Sequence, residues 1–301
     1  MHGQQLIGLT ILPLCFLGAV CNWLVFYASF RICSLSPSFA FLTGSLALFD
    51  ALFSMLYFGY VGPMTVLDLK KLKYWSSEFD FVLMVLYDAT MELHCVISLN
   101  RFFAVFTPFL YRRLFSVNAA KVYVVVCFLV SLVNYFVYNF IVGCKMMYDD
   151  SMWMFYIDES SPVCVTYSYI IDFAKNLSIA SFDAFIDVIT ILKVHSTRRK
   201  IQRSQKSQAI RKKELDFLKQ TCVQGLISIS ALSIYYFVPE LVTNMYIAFM
   251  LTTFLWPSLA TVNGVTALIY NSEVRAGVFK RRETANASTV SVSEMKTNRK
   301  V

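Results

Sequence analysis

Charged side chains are scarce in this sequence, since Asp, Glu, Lys and Arg make up only 15% of its 301 residues. Soluble domains carry roughly 25%, so a chain of this length lacks the polar side chains that a water-exposed surface needs. Hydrophobic residues reach 57%, and the mean hydropathy is +0.57. The composition therefore indicates that the solvent of this protein is the lipid bilayer.

Catalytic motifs are also missing. The sequence contains no HExxH, no GxSxG and no paired-aspartate protease signature, so we expect a protein that is not an enzyme and that needs neither a cofactor nor a metal. Residues 245–270 contain no Lys, which excludes a retinal Schiff base in the last span. A transporter or ligand-gated channel remains the alternative, although the inverted repeats and paired broken helices typical of transporters are not evident.

Long apolar stretches are what the chain does have. A membrane-spanning helix needs about 20 such residues, and the chain offers seven stretches of that length, which predicts an all-α bundle of seven transmembrane helices. A short amphipathic helix over 271–282 and a disordered, phosphorylatable tail over 283–301 follow. The seven predicted spans are 6–30, 39–61, 79–106, 121–143, 167–194, 216–240 and 245–270.

The basic residues give the expected orientation. Of the 27 Lys and Arg residues, 22 lie in segments next to one side of the predicted spans, and that side is therefore cytoplasmic. An odd number of spans then puts the N-terminus outside and the C-terminus inside. Because this basic charge borders the membrane, we interpret it as a topology signal that also attracts anionic lipid, and we exclude nucleic acid as a partner. Residues 1–5 carry no Lys or Arg, so we expect span one to insert directly, without a signal peptide.

Two of the eight cysteines differ from the others in position. Cys144 and Cys164 both lie in the outer loop after span four, in an oxidising compartment. A bridge between them would stabilise the loop by about 3 kcal/mol, and two free thiols are the alternative.

Ionisable residues inside the spans are costly and usually functional. Asp50 lies in the middle of span two and Asp88 in span three. In span five, four polar residues recur at steps of four, seven and four, which keeps them on one helical face. They line either a ligand or ion cavity or a set of structural hydrogen bonds between helices. These four residues are Asp172, Asn176, Asp183 and Asp187.

Several segments resemble the motifs of rhodopsin-like G-protein-coupled receptors. Residues 46–50 (LALFD) are similar to the LAxxD pattern of helix two, and residues 100–102 (NRF) to the DRY motif of helix three. Asn263 begins a segment where NPxxY would stand, and Asn22 matches the single Asn of helix one. The matches fall in the expected spans and in the expected order.

The likeness extends to the nematode chemoreceptors of serpentine receptor class X. Residues 100–105, 187–190 and 211–220 are similar to segments of that family. The resemblance implies a plasma-membrane receptor of sensory neurons, in cilia, that detects a small environmental molecule and signals through a heterotrimeric G protein. Arrestin and kinases would act at the tail.

The resemblance and the positions in the spans together suggest roles for individual residues. We expect the ligand to contact Tyr87, Asp88, Asp172, Asn176, Phe237 and Tyr246. We expect the G protein to contact Arg101, Tyr111, Arg112, Arg113, Arg211, Lys212 and Lys213. The conformational switch would include Asn22, Asp50, Asn100, Arg101, Glu214 and Asn263, with Glu214 or Asp216 holding Arg101 in the closed state.

The departures from the receptor pattern also carry expectations. Asn100 replaces the acidic residue before the Arg, and Gly264 replaces the Pro of NPxxY. The upper part of span three has no Cys, so the family's usual bridge to the second outer loop cannot form, and a bridge from Cys144 to Cys164 is the expected replacement. Leu83 stands where amine receptors keep an Asp, which makes a biogenic amine the less favoured ligand.

Overall fold

The structure is a computed structural model that describes residues 3–31, 36–151, 153–157, 161–200, 205–238 and 241–279. Side chains are described for all of these except 157, 197–200, 205–217, 272–273 and 279. The predicted tail, 283–301, and part of the predicted amphipathic helix lie outside the described residues.

Seven long helices form a bundle in the described part of the chain, because hydrocarbon gives backbone N–H and C=O groups no partner except one another. A short helix, Ser272–Phe279, follows the seventh. Helices one to four are Gly3–Ser29, Pro37–Val66, Ser76–Phe106 and Val117–Ile141. Helix five comprises Pro162–Ser168, Tyr169–Ala174 and Lys175–Lys200; helix six is Gln205–Phe237, and helix seven is Met245–Tyr270.

Five helices of the described chain, one to four and seven, are long and apolar enough to cross a bilayer by length and composition alone. Helix five carries several ionisable residues, among them Asp172, Lys175, Asp183 and Asp187. The three aspartates are buried inside the bundle, so helix five keeps a lipid-compatible outer face while its charge faces other helices.

Helix three is the central helix. In its most apolar stretch 67% of the residues are buried, against 22% in helix four and 33% in helix one. The exposed side chains of helices one and four are large and apolar, such as Phe16, Leu17, Val122 and Val133, as contact with lipid requires. Polar residues on helix three therefore face protein on most sides.

The helices extend beyond the predicted spans at several ends, most of all helix six, which begins at Gln205 instead of residue 216. Two of the differences have a cause in the sequence. Helix two continues to Val66, five residues beyond the predicted end, and a π-helical turn, Tyr57–Val61, precedes Pro63. The π turn accommodates a proline that lacks an N–H donor and would break a regular α-helix. Helix five begins earlier than the predicted residue 167, because Pro162 occupies the first turn, where a missing N–H costs nothing.

The outer loop between helices four and five contains a β-hairpin that the sequence patterns do not predict. Met146–Asp149 pairs antiparallel with Met154–Ile157, with Met146 opposite Ile157. A disulfide joins Cys144 and Cys164, one at each side of the hairpin. We call this segment, from Cys144 to Cys164, the outer hairpin, and we use outer and inner for the two ends of the bundle according to the orientation that the sequence predicts.

The outer hairpin lies across one end of the bundle. The backbone N–H of Tyr148 donates to Ser76 Oγ of helix three at 3.2 Å, and Gln4 Nε2 of helix one donates to the Tyr148 hydroxyl at 3.0 Å. Thr253 Oγ1 of helix seven donates to the Trp153 carbonyl at 3.1 Å. The N-terminal turn of helix one and the disulfide are therefore on the same side of the bundle.

We expect serine at either Cys144 or Cys164 to lower the free energy of unfolding by about 3 kcal/mol, because the cross-link restricts the unfolded chain. Thermal unfolding of the purified protein measures the loss. The double variant should unfold at the same temperature as either single variant, since one substitution already removes the whole cross-link. Cys222→Ser, at a half-buried free thiol, is the control and should change stability less. Additive losses in the double variant would contradict the bridge.

Candidate functional site

A buried ion pair joins helices three and five in the outer half of the bundle. Lys175 Nζ lies 2.5 Å from each carboxylate oxygen of Asp88 and 3.8 Å from Glu92 Oε1. Asp88 is fully buried. Isolated charges at this depth are costly, so each of these side chains supplies the counter-charge of the other.

Asp172 accepts hydrogen bonds from helices four, five and six. Its Oδ2 accepts from the Tyr236 hydroxyl at 2.6 Å, and its Oδ1 accepts from the Tyr135 hydroxyl and from Asn176 Nδ2, both at 3.3 Å. Ser168 Oγ lies 3.4 Å from the same Tyr236 hydroxyl. One carboxylate on helix five thus connects three helices.

A cavity opens beside Asp172, between helices three, four and five and beneath Met146 of the outer hairpin. Protein atoms leave about 330 Å³ of space unfilled there, and part of this space is open to solvent. We call it the outer cavity; its polar and aromatic lining includes Asp80, Tyr135, Tyr138, Tyr167, Ser168 and Asp172.

A second cavity lies between helices two, three, six and seven, where protein atoms leave about 340 Å³ unfilled, part of it open to solvent. On one side Asn263 Nδ2 donates to Asp50 Oδ2 at 3.1 Å, and it lies 3.5 Å from His94 Nε2. On the other side Tyr87 packs edge-on against Trp256, with ring centroids 4.7 Å apart. We call it the central cavity. It brings together Asp50 and Asn263, two of the predicted switch residues.

The contact between helices one and seven explains a departure from the receptor motif. Asn22 Nδ2 donates to the carbonyl oxygens of Gly18 and Ala260 at 3.0 and 2.9 Å. A Cβ at position 264 would lie 2.8 Å from Asn22 Oδ1. Gly264 is therefore needed where other receptors carry Pro, because any side chain there would displace the Asn22 amide.

The inner half of the acidic stripe faces a third cavity, where protein atoms leave about 290 Å³ unfilled, part of it open to solvent. Asp183 lines it with His94, Ser98 and Thr221. Asp187 is buried next to the side chains of Ser98 and Thr221. The whole predicted stripe therefore faces the bundle interior. Within the described residues no three His, Cys, Asp or Glu side chains group closely enough to hold a metal ion.

The inner ends of helices two and three carry the predicted coupling residues. The guanidinium carbon of Arg101 lies 3.4 Å from the Phe39 ring centroid, close enough for a cation–π contact. Tyr111, in the helix Pro108–Leu114, lies 2.8 Å from Ser36 Oγ through its hydroxyl. Arg112 and Arg113 are exposed.

Asn100, next to Arg101, is buried, and neither of its amide atoms has a hydrogen-bond partner among the described residues. The predicted residues Arg211, Lys212, Lys213 and Glu214 lie on helix six, but their side chains fall outside the described ones.

The six predicted ligand contacts do not form one group. Asp172 lines the outer cavity and Tyr87 the central cavity, and Asp88 and Asn176 are buried near them. Phe237 and Tyr246 are 56% and 46% exposed and line neither cavity. Tyr246 packs against Trp153 of the outer hairpin instead, with ring centroids 5.2 Å apart. The sequence pattern did not reveal the positions of these two rings.

Sequence reasoning missed four residues of the site. Lys175 was used only to assign the orientation. A lysine inside an apolar span, next to Asn176, could have indicated a functional site. Asp80 stood at the predicted edge of span three. Tyr236 and Trp256 gave no signal, because aromatic residues are common throughout the spans.

We expect Lys175→Met to destabilise the protein by about 3–5 kcal/mol, because it leaves the buried charge of Asp88 unpaired. Asp88→Asn should cost less, because Lys175 is 23% exposed and keeps its contact with Glu92. The double variant should recover most of the loss, and thermal unfolding of all four proteins measures the coupling. The exposed pair Lys145 and Glu78, 3.9 Å apart, is the matched control and should show coupling below about 1 kcal/mol. Losses at 88 and 175 that simply add would contradict a coupled pair.

Comparison with known proteins identifies the family. The family model described as "Serpentine type 7TM GPCR chemoreceptor Srx" matches residues 12–271. Serpentine receptor class X 45 of Caenorhabditis elegans is 26% identical over 296 residues, covering 91% of this chain and 81% of that protein. Serpentine receptor class X-43 of the same organism is 29% identical over 136 residues, covering 44% of this chain and 41% of that protein.

Among solved structures, squid rhodopsin has a similar fold, with a TM-score of 0.72 at 16% identity; the match covers 90% of this chain and 83% of that one. Family and fold are thus those of receptors, not enzymes, and nothing supports the transporter or channel alternative. They confirm the predicted rhodopsin-like bundle and a chemosensory function, with a heterotrimeric G protein and a small molecule as partners. The chain belongs to the Srx family of seven-transmembrane G-protein-coupled chemoreceptors.

Proposed function

We propose that this receptor binds its small-molecule ligand in the outer cavity and transmits binding through the Lys175–Asp88 pair to a G-protein site around Arg101. The observation that carries the proposal is the position of the ion pair. Lys175 is on helix five, one turn inward from Asp172, which lines the outer cavity. A ligand that displaces either side chain changes how helix five is held to helix three.

A two-state receptor responds only to a ligand that binds its two states with different affinity. The hydrogen bonds of Asp172 to Tyr236 and Tyr135 give such a difference, because a ligand that competes for this carboxylate loosens helix six from helix five. In the rhodopsin-like receptors that this chain resembles, movement of helix six opens the inner face of the bundle.

Aromatic and polar contacts around the central cavity connect the outer and inner ends of the bundle. Trp256 contacts both Tyr87 of helix three and Tyr235 of helix six, the latter with ring centroids 4.8 Å apart. The Asp50–Asn263 hydrogen bond lies on the other side of the same cavity. In this proposal a shift of Trp256 changes the contact between helices two and seven.

Arg101, Tyr111, Arg112 and Arg113 then form the coupling surface, together with the basic residues 211–213. The exposed arginines suit an acidic partner surface or anionic lipid. A lock between Arg101 and Glu214 stays a prediction, as do arrestin and kinase action at the tail.

We further propose that the receptor is in the plasma membrane, in sensory cilia, with its N-terminus outside. Two observations support this orientation: Gln4 contacts Tyr148 of the disulfide-bonded outer hairpin, and disulfides form in oxidising compartments. The exposed Arg112 and Arg113 border the other end.

We expect Arg101→Ala to abolish responses to odorants in cells that express the receptor, since it removes the guanidinium group that matches the Arg of the DRY motif. A cAMP or calcium reporter against a panel of volatile and water-soluble odorants provides the readout, at matched surface expression. Arg31→Ala is the control, because Arg31 lies at the inner end of helix one over the Tyr27 ring, outside the coupling surface. Responses of Arg101→Ala equal to those of the unmodified receptor would contradict the proposal.

A further inference from the structure

The outer half of the bundle holds more negative than positive charge. Asp80, Asp88, Glu92 and Asp172 are carboxylates in this region, and Lys175 is the cation that contacts two of them. Its ammonium group lies against both oxygens of Asp88. The carboxylates of Asp80 and Asp172 therefore have no ion-pair partner among the described side chains.

Asp80 is the unsatisfied member of the group. It is only 5% exposed and lines the outer cavity. No hydrogen bond or ion pair of its carboxylate occurs within the described residues, whereas Asp172, on the same cavity, accepts three hydrogen bonds. A buried carboxylate that borders an open space and has no partner is unfavourable unless something fills that space.

The remaining lining is the kind that favours a cation. Tyr135, Tyr138 and Tyr167 contribute aromatic rings, and Met84 and Ile171 contribute apolar surface. None of the residues that line the cavity is Lys, Arg or His. Aromatic faces attract ammonium groups through their negative quadrupole, and more strongly where water is excluded.

We propose that the outer cavity binds a small organic cation, a protonated amine or a quaternary ammonium. Its charged head lies between Asp80 and Asp172, and its apolar part packs on Met84 and Ile171. This inference rests on the proposed function, which makes the outer cavity the ligand site. It also revises the expectation drawn from Leu83: that residue is buried in the core, and Asp80, one helical turn outward, supplies the carboxylate.

Thermal unfolding of the purified full-length receptor tests this without a signalling partner. The probes are matched sets of alkyl and phenylalkyl ammonium ions, the alcohols of the same size and the carboxylates of the same size. A ligand that binds only the folded state raises the unfolding temperature with concentration. We expect at least some ammonium probes to do so, while the matched alcohols and carboxylates have little effect.

Asp80→Asn and Asp172→Asn keep the side-chain shape and remove the charge. For each variant, the ammonium concentration that gives a set rise in unfolding temperature should be about tenfold higher or more, as expected for a lost charged contact. Glu78→Gln is the matched control, since Glu78 is on the same helix two residues away and is exposed; it should respond like the unmodified receptor. Asp80→Glu should retain part of the effect, which separates loss of charge from loss of folding.

Stabilisation by alcohols or carboxylates instead of ammonium ions would overturn the proposal. An ammonium effect that is unchanged in Asp80→Asn would also overturn it, and so would the absence of stabilisation by every probe. The proposed function fails differently. If ammonium ions stabilise the purified receptor but evoke no G-protein response in cells, the cation site stands and the signalling route does not.

Discussion

The lack of water in the bilayer core is the constraint on which this structure depends. Every backbone polar group at that depth must find its partner inside the protein, and a buried polar side chain without a partner is costly. The buried aspartates of helices two, three and five therefore face the bundle, and four contacts among them connect helices directly: Lys175 with Asp88, Asp172 with Tyr236, Asp172 with Tyr135, and Asn263 with Asp50. The buried charged residues that are costly for folding are thus the same residues whose contacts between helices a bound ligand can change.

The departures from receptor motifs have physical reasons in this chain. Gly264 is required by the amide of Asn22, which donates to helix seven. The missing Cys of helix three is replaced by a bridge within the outer hairpin, which is held to helix three by the hydrogen bond from Tyr148 to Ser76. The cross-linked hairpin thus covers the outer cavity, and its residue Met146 lines the cavity.

Much of the fold was predictable because hydropathy and charge report directly on lipid contact. The stripe from Asp172 to Asp187 could be assigned to one face by spacing alone, and it is buried as expected. The partner of Lys175, the exposure of Tyr246 and the outer hairpin could not be predicted, because they depend on how helices rotate against one another. Asp80 was missed for a related reason: its position next to Asp172 exists only after helices three and five have packed.

The central claim is that this bundle crosses the membrane an odd number of times, with the outer hairpin outside and Arg101 inside. Epitope tags at the two ends, stained on intact and on permeabilised cells, test it most directly. The N-terminal tag should stain on intact cells, and the C-terminal tag only after permeabilisation. Staining of the C-terminal tag on intact cells, or of both tags under the same condition alone, would contradict the account.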